Sequence, residues 1–206
     1  GEFRNFGTIA RGGIARLNAD GSLDSSFDPG AGVDGSFAPG VYTIALQENG
    51  KLCVGGNFDT FDGVDRRAIL RINANGSLDP TFDPGTGAES TNPNFRVPWI
   101  SQIKLQPDAK LLIAGQFTSV DGLSRGNIAR LDANGFVDAT FDPGLSTAGD
   151  IASVEAIDLQ SDGKVVIGGD FDKVNGVTRN SLARLNADGS LDQSFDTGGG
   201  VMDIAE

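Results

Sequence analysis

The chain has 206 residues, of which 38% are hydrophobic and 30 are glycine, and its formal net charge is -12. Histidine is absent and Cys53 is the single cysteine, which excludes an internal disulfide and every catalytic or metal site that depends on imidazole. The negative charge disfavours nucleic acid and anionic membranes as partners, and no stretch reaches the roughly 18 apolar residues of a membrane-spanning helix.

The first predicted elements are two short strands joined by a tight turn. Residues 14–24 read IARLNADGSLD, in which Asp20-Gly21 is a dipeptide that favours hairpin turns. The phrase returns with small changes at residues 69–79, 128–138 and 182–192, and a Phe-Asp pair follows each copy. Its arginines, Arg16, Arg71, Arg130 and Arg184, define tandem repeats of about 54–59 residues.

Two further strands open each complete repeat. Residues 41–58 read VYTIALQENGKLCVGGNF, and equivalent segments lie at residues 100–117 and 154–171. We predict strand A over residues 41–47 and strand B over residues 51–58, with a hairpin turn between them. A polar connector then leads to strand C at residues 68–73 and to a short strand D from residue 77 to about residue 82.

Four antiparallel strands in a repeat of this length are typical of a propeller blade, so the predicted fold is all-β, a β-propeller built of four-stranded antiparallel blades. The apolar strand A is expected to be innermost, and Gly55-Gly56 to let neighbouring backbones approach closely. The predicted array comprises partial repeat 1 (residues 1–35), repeat 2 (36–90), repeat 3 (91–149), repeat 4 (150–198), and the first strand of a further repeat or a closing strand (199–206).

The repeats share the pattern LQ-x-DGK-[VIL]-x-IGG-x-F, then NG-x-x-R, then IARLN-x-DGSLD-x-x-F-x-PG. In this pattern the chain resembles the delta-60 repeat family, a β-propeller type domain of unknown function, over nearly its whole length. The resemblance implies tandem arrays in large bacterial proteins that are often secreted or attached to the cell surface, and it implies no activity. Ala109 and Ala114 stand where the pattern has glycine, which predicts a slightly altered turn in the third repeat.

The two ends of the sequence align on the interior of the repeat. Residues 1–3 align on residues 56–58, at the end of strand B, and residues 201–204 align on residues 41–44 in strand A. Strand C of the first repeat (13–18) and the last strand A (201–205) are therefore expected to be edges that another polypeptide segment covers, because exposed edges invite pairing. The predicted partner is a protein or a second copy of the chain.

The segment from Asn18 to Asp24 has some likeness to a calcium loop, which makes Asp20, Asp24, Asp188 and Asp192 candidate metal ligands. A calcium loop carries more acidic ligands and a bidentate glutamate, and asparagine replaces Asp20 in two of the four copies. The hairpin-turn interpretation is favoured, and no metal or cofactor is predicted.

Two sets of arginines recur once per repeat: Arg16, Arg71, Arg130 and Arg184, and Arg11, Arg66, Arg125 and Arg179. A phosphate or glycan clamp is one interpretation, but pairing with the equally regular Asp24, Asp79, Asp138 and Asp192 is favoured. Trp99, in a predicted loop over residues 83–99, and Tyr42 are the candidates for contact with a sugar or a partner.

The sequence therefore predicts a non-enzymatic structural or interaction module of a bacterial secreted or cell-surface repeat protein, serving as an adhesin body, spacer or assembly subunit. The alternative is a carbohydrate-binding, lectin-like propeller. Against that alternative, the chain does not repeat a tryptophan or tyrosine in each blade. A glycan stays possible as a partner at this stage, whereas nucleic acid and membrane insertion are not expected.

Overall fold

The computed structural model describes residues 1–93, 97–146 and 152–198. All regular elements in this part of the chain are β-strands, twenty in number. None of the described residues forms a helix with the length and apolar character needed to cross a membrane. The all-β class predicted from the repeat is confirmed. The predicted strand at residues 201–205 lies outside the described residues.

The strands follow one order in each complete repeat: a short strand, two long strands, a short hairpin and a four-residue strand. The first repeat contributes β1 (Asn5–Phe6) and β2 (Ile9–Ala10). The second contributes β3 (Val33–Asp34), β4 (Gly40–Leu46), β5 (Leu52–Asn57), β6 (Thr60–Phe61), β7 (Val64–Asp65) and β8 (Ile69–Ile72). The third contributes β9 (Ala88–Glu89), β10 (Trp99–Leu105), β11 (Leu111–Gln116), β12 (Ser119–Val120), β13 (Leu123–Ser124) and β14 (Ile128–Leu131). The fourth contributes β15 (Leu145–Ser146), β16 (Ser153–Leu159), β17 (Val165–Asp170), β18 (Lys173–Val174), β19 (Val177–Thr178) and β20 (Leu182–Leu185).

Each complete blade is an antiparallel sheet in which the predicted strands A, B and C lie side by side. The sheet orders are β4-β5-β8, β10-β11-β14 and β16-β17-β20. Strand D is reduced to a single antiparallel bridge, such as that between Ile72 and Leu78. The four-stranded blade is thus present, with its outermost strand only one residue pair long.

A second small sheet accompanies each blade, where the sequence predicts only a polar connector. The hairpin β6-β7 pairs with β3, and β12-β13 and β18-β19 pair with β9 and β15 in the same way. Asp62 and Gly63, at the tip of β6-β7, both have positive φ, which is the backbone of a type I′ hairpin turn. The Asp-Gly dipeptide is the signal that could have predicted this hairpin.

The hydrophobic core lies between neighbouring blades. Alternate residues of a strand face opposite sides of a sheet, so every blade has one face toward the preceding blade and one toward the next. Ile103 of the third blade packs in one cluster with Cys53 of the second. Ile157 of the fourth blade packs with Leu112 of the third in another cluster. The blades therefore stabilise one another, as stacked repeats require.

The phenylalanines of the Phe-Asp pairs anchor this core. Phe27, Phe82 and Phe141 are almost completely buried, each in a different cluster. Phe195, the equivalent residue of the fourth repeat, is only partly buried. The predicted role of these residues as core side chains is confirmed for the first three repeats.

The turn at Ala109 does not differ from its equivalents, so the expectation of an altered turn was wrong. Ala109 has φ 64, and the glycines that replace it in the other repeats, Gly50 and Gly163, have φ 79 and 83. The hydrogen bond from Ala109 N to Gln106 O also matches the one from Gly50 N to Gln47 O. The repeat keeps its backbone geometry, and Ala109 adopts a left-handed conformation that glycine adopts at lower cost.

Candidate functional site

The most regular polar feature is an arginine that joins consecutive repeats. Arg71 Nε donates to Asp79 Oδ2 over 2.7 Å, and Arg71 Nη1 donates to the main-chain carbonyl of Ala133, over 2.7 Å, in the next repeat. Arg71 Nη2 also donates to Thr81 Oγ1, and the guanidinium lies 5.0 Å from the centre of the Phe82 ring. We call this arrangement the arginine clasp.

The clasp recurs in every repeat. Arg16 donates to Asp24 and to Ala74 O, and Arg130 donates to Asp138 and to Ala187 O, over distances of 2.6–2.9 Å. Arg184 donates to Asp192 over 2.8 Å. The predicted pairing of these arginines with the regular aspartates is confirmed, and their bonds to carbonyls of the following repeat are an addition that the sequence did not indicate.

A lysine from strand B completes the clasp in the three complete blades. Lys51 Nζ lies 2.8 Å from Asp79 Oδ2, and Lys110 and Lys164 lie 3.0 and 2.8 Å from the equivalent oxygens of Asp138 and Asp192. The same aspartates accept hydrogen bonds at Oδ1 from a Ser or Thr two residues later, for example from Thr81 to Asp79. Among the described residues no lysine reaches Asp24, the equivalent carboxylate of the first repeat.

These contacts set the protonation state of the aspartates. Burial raises the pKa of Asp79, but hydrogen bonds from Lys51, Thr81 and Arg71 outweigh it and hold the pKa well below its usual range. The pKa of Asp138 is lowered by the same balance, and the pKa of Asp192 is lowered chiefly by its hydrogen bond from Lys164. Such groups are permanently charged at neutral pH, which suits ion pairing and leaves no proton to donate.

Acid is expected to destabilise the fold through these carboxylates. Their pKa is lower in the folded chain than the value of about 3.9 in an unfolded one, so their contribution is fully present above that pH and is lost progressively as the pH falls through the folded pKa. Urea unfolding at pH 7, 5 and 3 should show the free energy of unfolding decreasing below about pH 4. Asp79→Asn should flatten this decrease, whereas Asp65→Asn, which removes an exposed carboxylate, should leave it unchanged. Equal slopes for the two variants would contradict the assignment.

The candidate metal ligands are engaged in turns. Asp20 Oδ1 accepts hydrogen bonds from the main-chain N and the Oγ of Ser22, and Asp188 does the same with Ser190. Asp24 and Asp192 belong to clasps. Within the described ranges no group of three or more acidic or cysteine side chains is placed to hold a metal ion. The hairpin-turn interpretation of these segments agrees with this geometry.

The second arginine set makes different contacts from those predicted. Arg11 Nη1 donates to Asp28 over 3.1 Å, and Arg125 Nη1 donates to Asp142 over 3.2 Å, so these arginines pair with the aspartate of the Phe-Asp pair. All four members of the set have a buried Nε with no hydrogen-bond partner among the described residues: Arg11, Arg66, Arg125 and Arg179. Their role is to cross the base of the small sheets.

Trp99 and Tyr42 occupy inner strands. Trp99 is the first residue of β10 and is partly buried, so it does not lie in a loop as predicted. Part of that predicted loop also forms β9 (Ala88–Glu89). Tyr42 is exposed, at the bulge where the register between β4 and β5 shifts. The structure therefore offers Tyr42, and not Trp99, as a freely accessible ring.

A shallow cleft of about 280 Å³ opens beside the small sheets of the second and third repeats. It is lined by Asp59, Asp65, Arg66, Arg67, Gly85, Thr86 and Glu89. Arg67 lies 3.7 Å from Asp59, and Glu89 accepts hydrogen bonds from Ser119 Oγ and Gly122 N. Charges of both signs meet there, and two of the three carboxylates already have partners within the protein.

Burial also removes the single thiol from the surface chemistry. Cys53 is completely buried in β5, and burial raises its pKa to about 12. A thiol in that state is neither a nucleophile nor a metal ligand at neutral pH. This agrees with the prediction that Cys53 acts as a small hydrophobic residue.

Comparison with protein-family models gives one match. A model described as "Domain of unknown function (DUF5122) beta-propeller" matches residues 1–27, 47–82, 106–141 and 160–195. Each matched segment ends at the phenylalanine of a Phe-Asp pair, and one segment lies in each of the four predicted repeats. No curated protein matches the chain.

Proposed function

Because the chain belongs to the DUF5122 beta-propeller family, we propose that it is a non-enzymatic structural and interaction module of a bacterial secreted or cell-surface repeat protein. In this proposal the blades hold a binding or spacing surface at a fixed distance from the rest of the assembly. An adhesin body, a spacer and an assembly subunit are all forms of this role.

The arginine clasp is the observation that carries the proposal. The regular charged residues of each repeat, Arg71, Asp79 and Lys51 in the second, bind to one another and to the next repeat. Catalytic groups, in contrast, must face a substrate and commonly have a pKa tuned toward the working pH. The lowered pKa of Asp79 is the opposite of what a general acid requires.

Charge also supports a position outside the cell. The net charge of -12 keeps the chain soluble and repels anionic polymers. The single thiol is buried in β5, so an oxidising compartment would find no exposed cysteine on the described surface. The lectin-like alternative rests on the exposed ring of Tyr42, which could stack on a sugar.

Accessibility on intact bacteria tests the proposal. A protease or an antibody added to intact cells of the native bacterium should reach the chain, while a cytoplasmic marker enzyme in the same cells stays protected. Confinement of the chain to the lysed-cell fraction would contradict a surface role. A glycan array probed with the purified chain and with Tyr42→Ala separates the lectin alternative, because only that alternative expects binding that Tyr42→Ala abolishes.

A further inference from the structure

The second blade exposes an apolar face that its neighbours bury. Ile44 in β4 is 49% exposed, whereas the equivalent residues Ile103 and Ile157 are 6% and 4% exposed. Those two isoleucines are covered by the preceding blade, through Cys53 and Leu112 respectively. Leu46, beside Ile44 on the same face, is 67% exposed. The apolar face of β4 therefore has the form of a blade contact with no described residue across from it.

An unpaired backbone edge lies next to this face. In the complete blades strand C pairs with strand B over four residues, as β8 does with β5. The equivalent segment of the first repeat, residues 14–17, forms no strand, and its only bridge among the described residues joins Leu17 to Leu23 on the outer side. Leu17 is 48% exposed, whereas its equivalent Ile72 is completely buried. The inner edge of this segment has the backbone groups that a strand B would satisfy.

Part of the missing strand is already in place. Gly1 N donates to Gly13 O over 3.1 Å, as Gly56 N donates to Ala68 O in the second blade. Gly13 N donates to Phe3 O, as Ala68 N donates to Phe58 O. Residues 1–3 thus stand for the last residues of strand B, and the vacant part corresponds to residues 40–55 of the second repeat.

Asp24 adds a charge to this vacant position. In the three complete blades the equivalent aspartate binds a lysine of strand B, over 2.8–3.0 Å. Asp24 is bound by Arg16 and Ser26 only, among the described residues. A strand B that entered the vacant position would bring its lysine to Asp24.

We propose that the first blade is an acceptor for a β-hairpin that carries the strand A–turn–strand B sequence of this repeat, donated by a partner polypeptide. The hairpin pairs its strand B with residues 14–17, places its strand A over Ile44 and Leu46, and donates its lysine to Asp24. This inference deepens the interaction role proposed above by naming the surface and the chemistry of its occupant. The described part of the chain carries three such hairpins, each covering the equivalent face of the next blade or its own sheet.

A synthetic hairpin with the sequence of residues 153–168 is the probe, because it ends where Gly1 begins in the repeat alignment. Added to the purified full chain, it should slow hydrogen exchange at residues 14–17 and raise the melting temperature. Ile44→Ser should abolish both effects. Ile9→Ser, which changes an isoleucine 48% exposed on β2, should leave both intact. Exchange at residues 14–17 that is already slow in the free chain, or unaffected by saturating hairpin, would overturn the proposal.

The lysine gives a second, charge-specific test. A hairpin with Lys164→Met should bind about tenfold more weakly, and Asp24→Asn in the chain should cause the same loss, because each removes one half of the same ion pair. The two changes together should cost no more than either alone. Asp20→Asn is the control, since asparagine occupies the equivalent position in two other repeats and Asp20 contacts only its own turn.

Additive losses for Lys164→Met and Asp24→Asn would overturn the pairing. Sedimentation of the free chain covers the other occupant, since a stable dimer that the hairpin does not dissociate would place a second copy on this face and refute the proposal. All of these measurements use purified protein. A negative result therefore leaves the accessibility experiment on intact cells unaffected, and the reverse also holds.

Discussion

Arg71→Ala is expected to lower the free energy of unfolding by about 3 kcal/mol. The change removes hydrogen bonds to Asp79, to Thr81 and to the carbonyl of Ala133, and it leaves the Asp79 carboxylate, 3% exposed, with Lys51 as its remaining cation. Removing one partner of a buried ion pair typically costs about 3–5 kcal/mol, and the remaining lysine places this case at the lower end. Urea denaturation at neutral pH measures the difference.

Arg16→Ala is the matched control. Arg16 makes the same bonds in the first repeat, but its side chain is 42% exposed and that of Asp24 is 22% exposed. Exposed ion pairs contribute at most about 1 kcal/mol, so this variant should lose less than about 1 kcal/mol. Equal losses for the two arginines would show that burial does not set the strength of the clasp.

Gly115→Ala is expected to cost about 3 kcal/mol through a different mechanism. A Cβ at Gly115 would lie well inside contact distance of the Trp99 carbonyl oxygen and 2.9 Å from Ile100 Cα. Both obstacles are backbone atoms of the paired strand β10, so the pairing of β10 with β11 must open at the bulge between Ile100 and Gln102. Overpacking that moves backbone sits at the upper end of the usual range of about 1–3 kcal/mol.

The neighbouring glycine position provides the comparison. At Gly168 the nearest atoms to an added methyl group would be Ser181 O at 3.7 Å and Ala156 Cβ at 3.9 Å, which are ordinary contacts. Ala114 already occupies the equivalent position in the third repeat. Gly168→Ala should therefore change stability by no more than about 0.5 kcal/mol. Thermal melts of both variants decide the matter, and a tolerated Gly115→Ala would mean that the inner strands are free to separate.

The long strands could be predicted from the sequence because hydrophobic period and turn chemistry agree there. Strand A, predicted over residues 41–47, is Gly40–Leu46, and strand B, predicted over residues 51–58, is Leu52–Asn57. The two-residue strands of the small sheets could not be found in this way, because two residues show no period. Their one local signal is the dipeptide at Asp62, which lies within the segment predicted as a connector.

The site was predictable only in its covalent part. Arg71 and Asp79 recur together at a fixed spacing within one phrase, so their pairing could be inferred from the sequence. Lys51 lies 28 residues from Asp79 on another strand, and the blade brings the two together only after β5 and β8 pair. The carbonyl acceptor at Ala133 has no sequence signature at all, since every residue type supplies a carbonyl.

The choice of that acceptor has a consequence for how such arrays can change. Each clasp reaches a main-chain oxygen of the following repeat, at Ala74, Ala133 and Ala187, and asks nothing of the side chain at that position. Any copy of the repeat with the same turn can therefore accept the bond from any other copy. Duplication, deletion or recombination of whole repeats would recreate the joint at each new boundary, so the number of blades can vary without a compensating substitution.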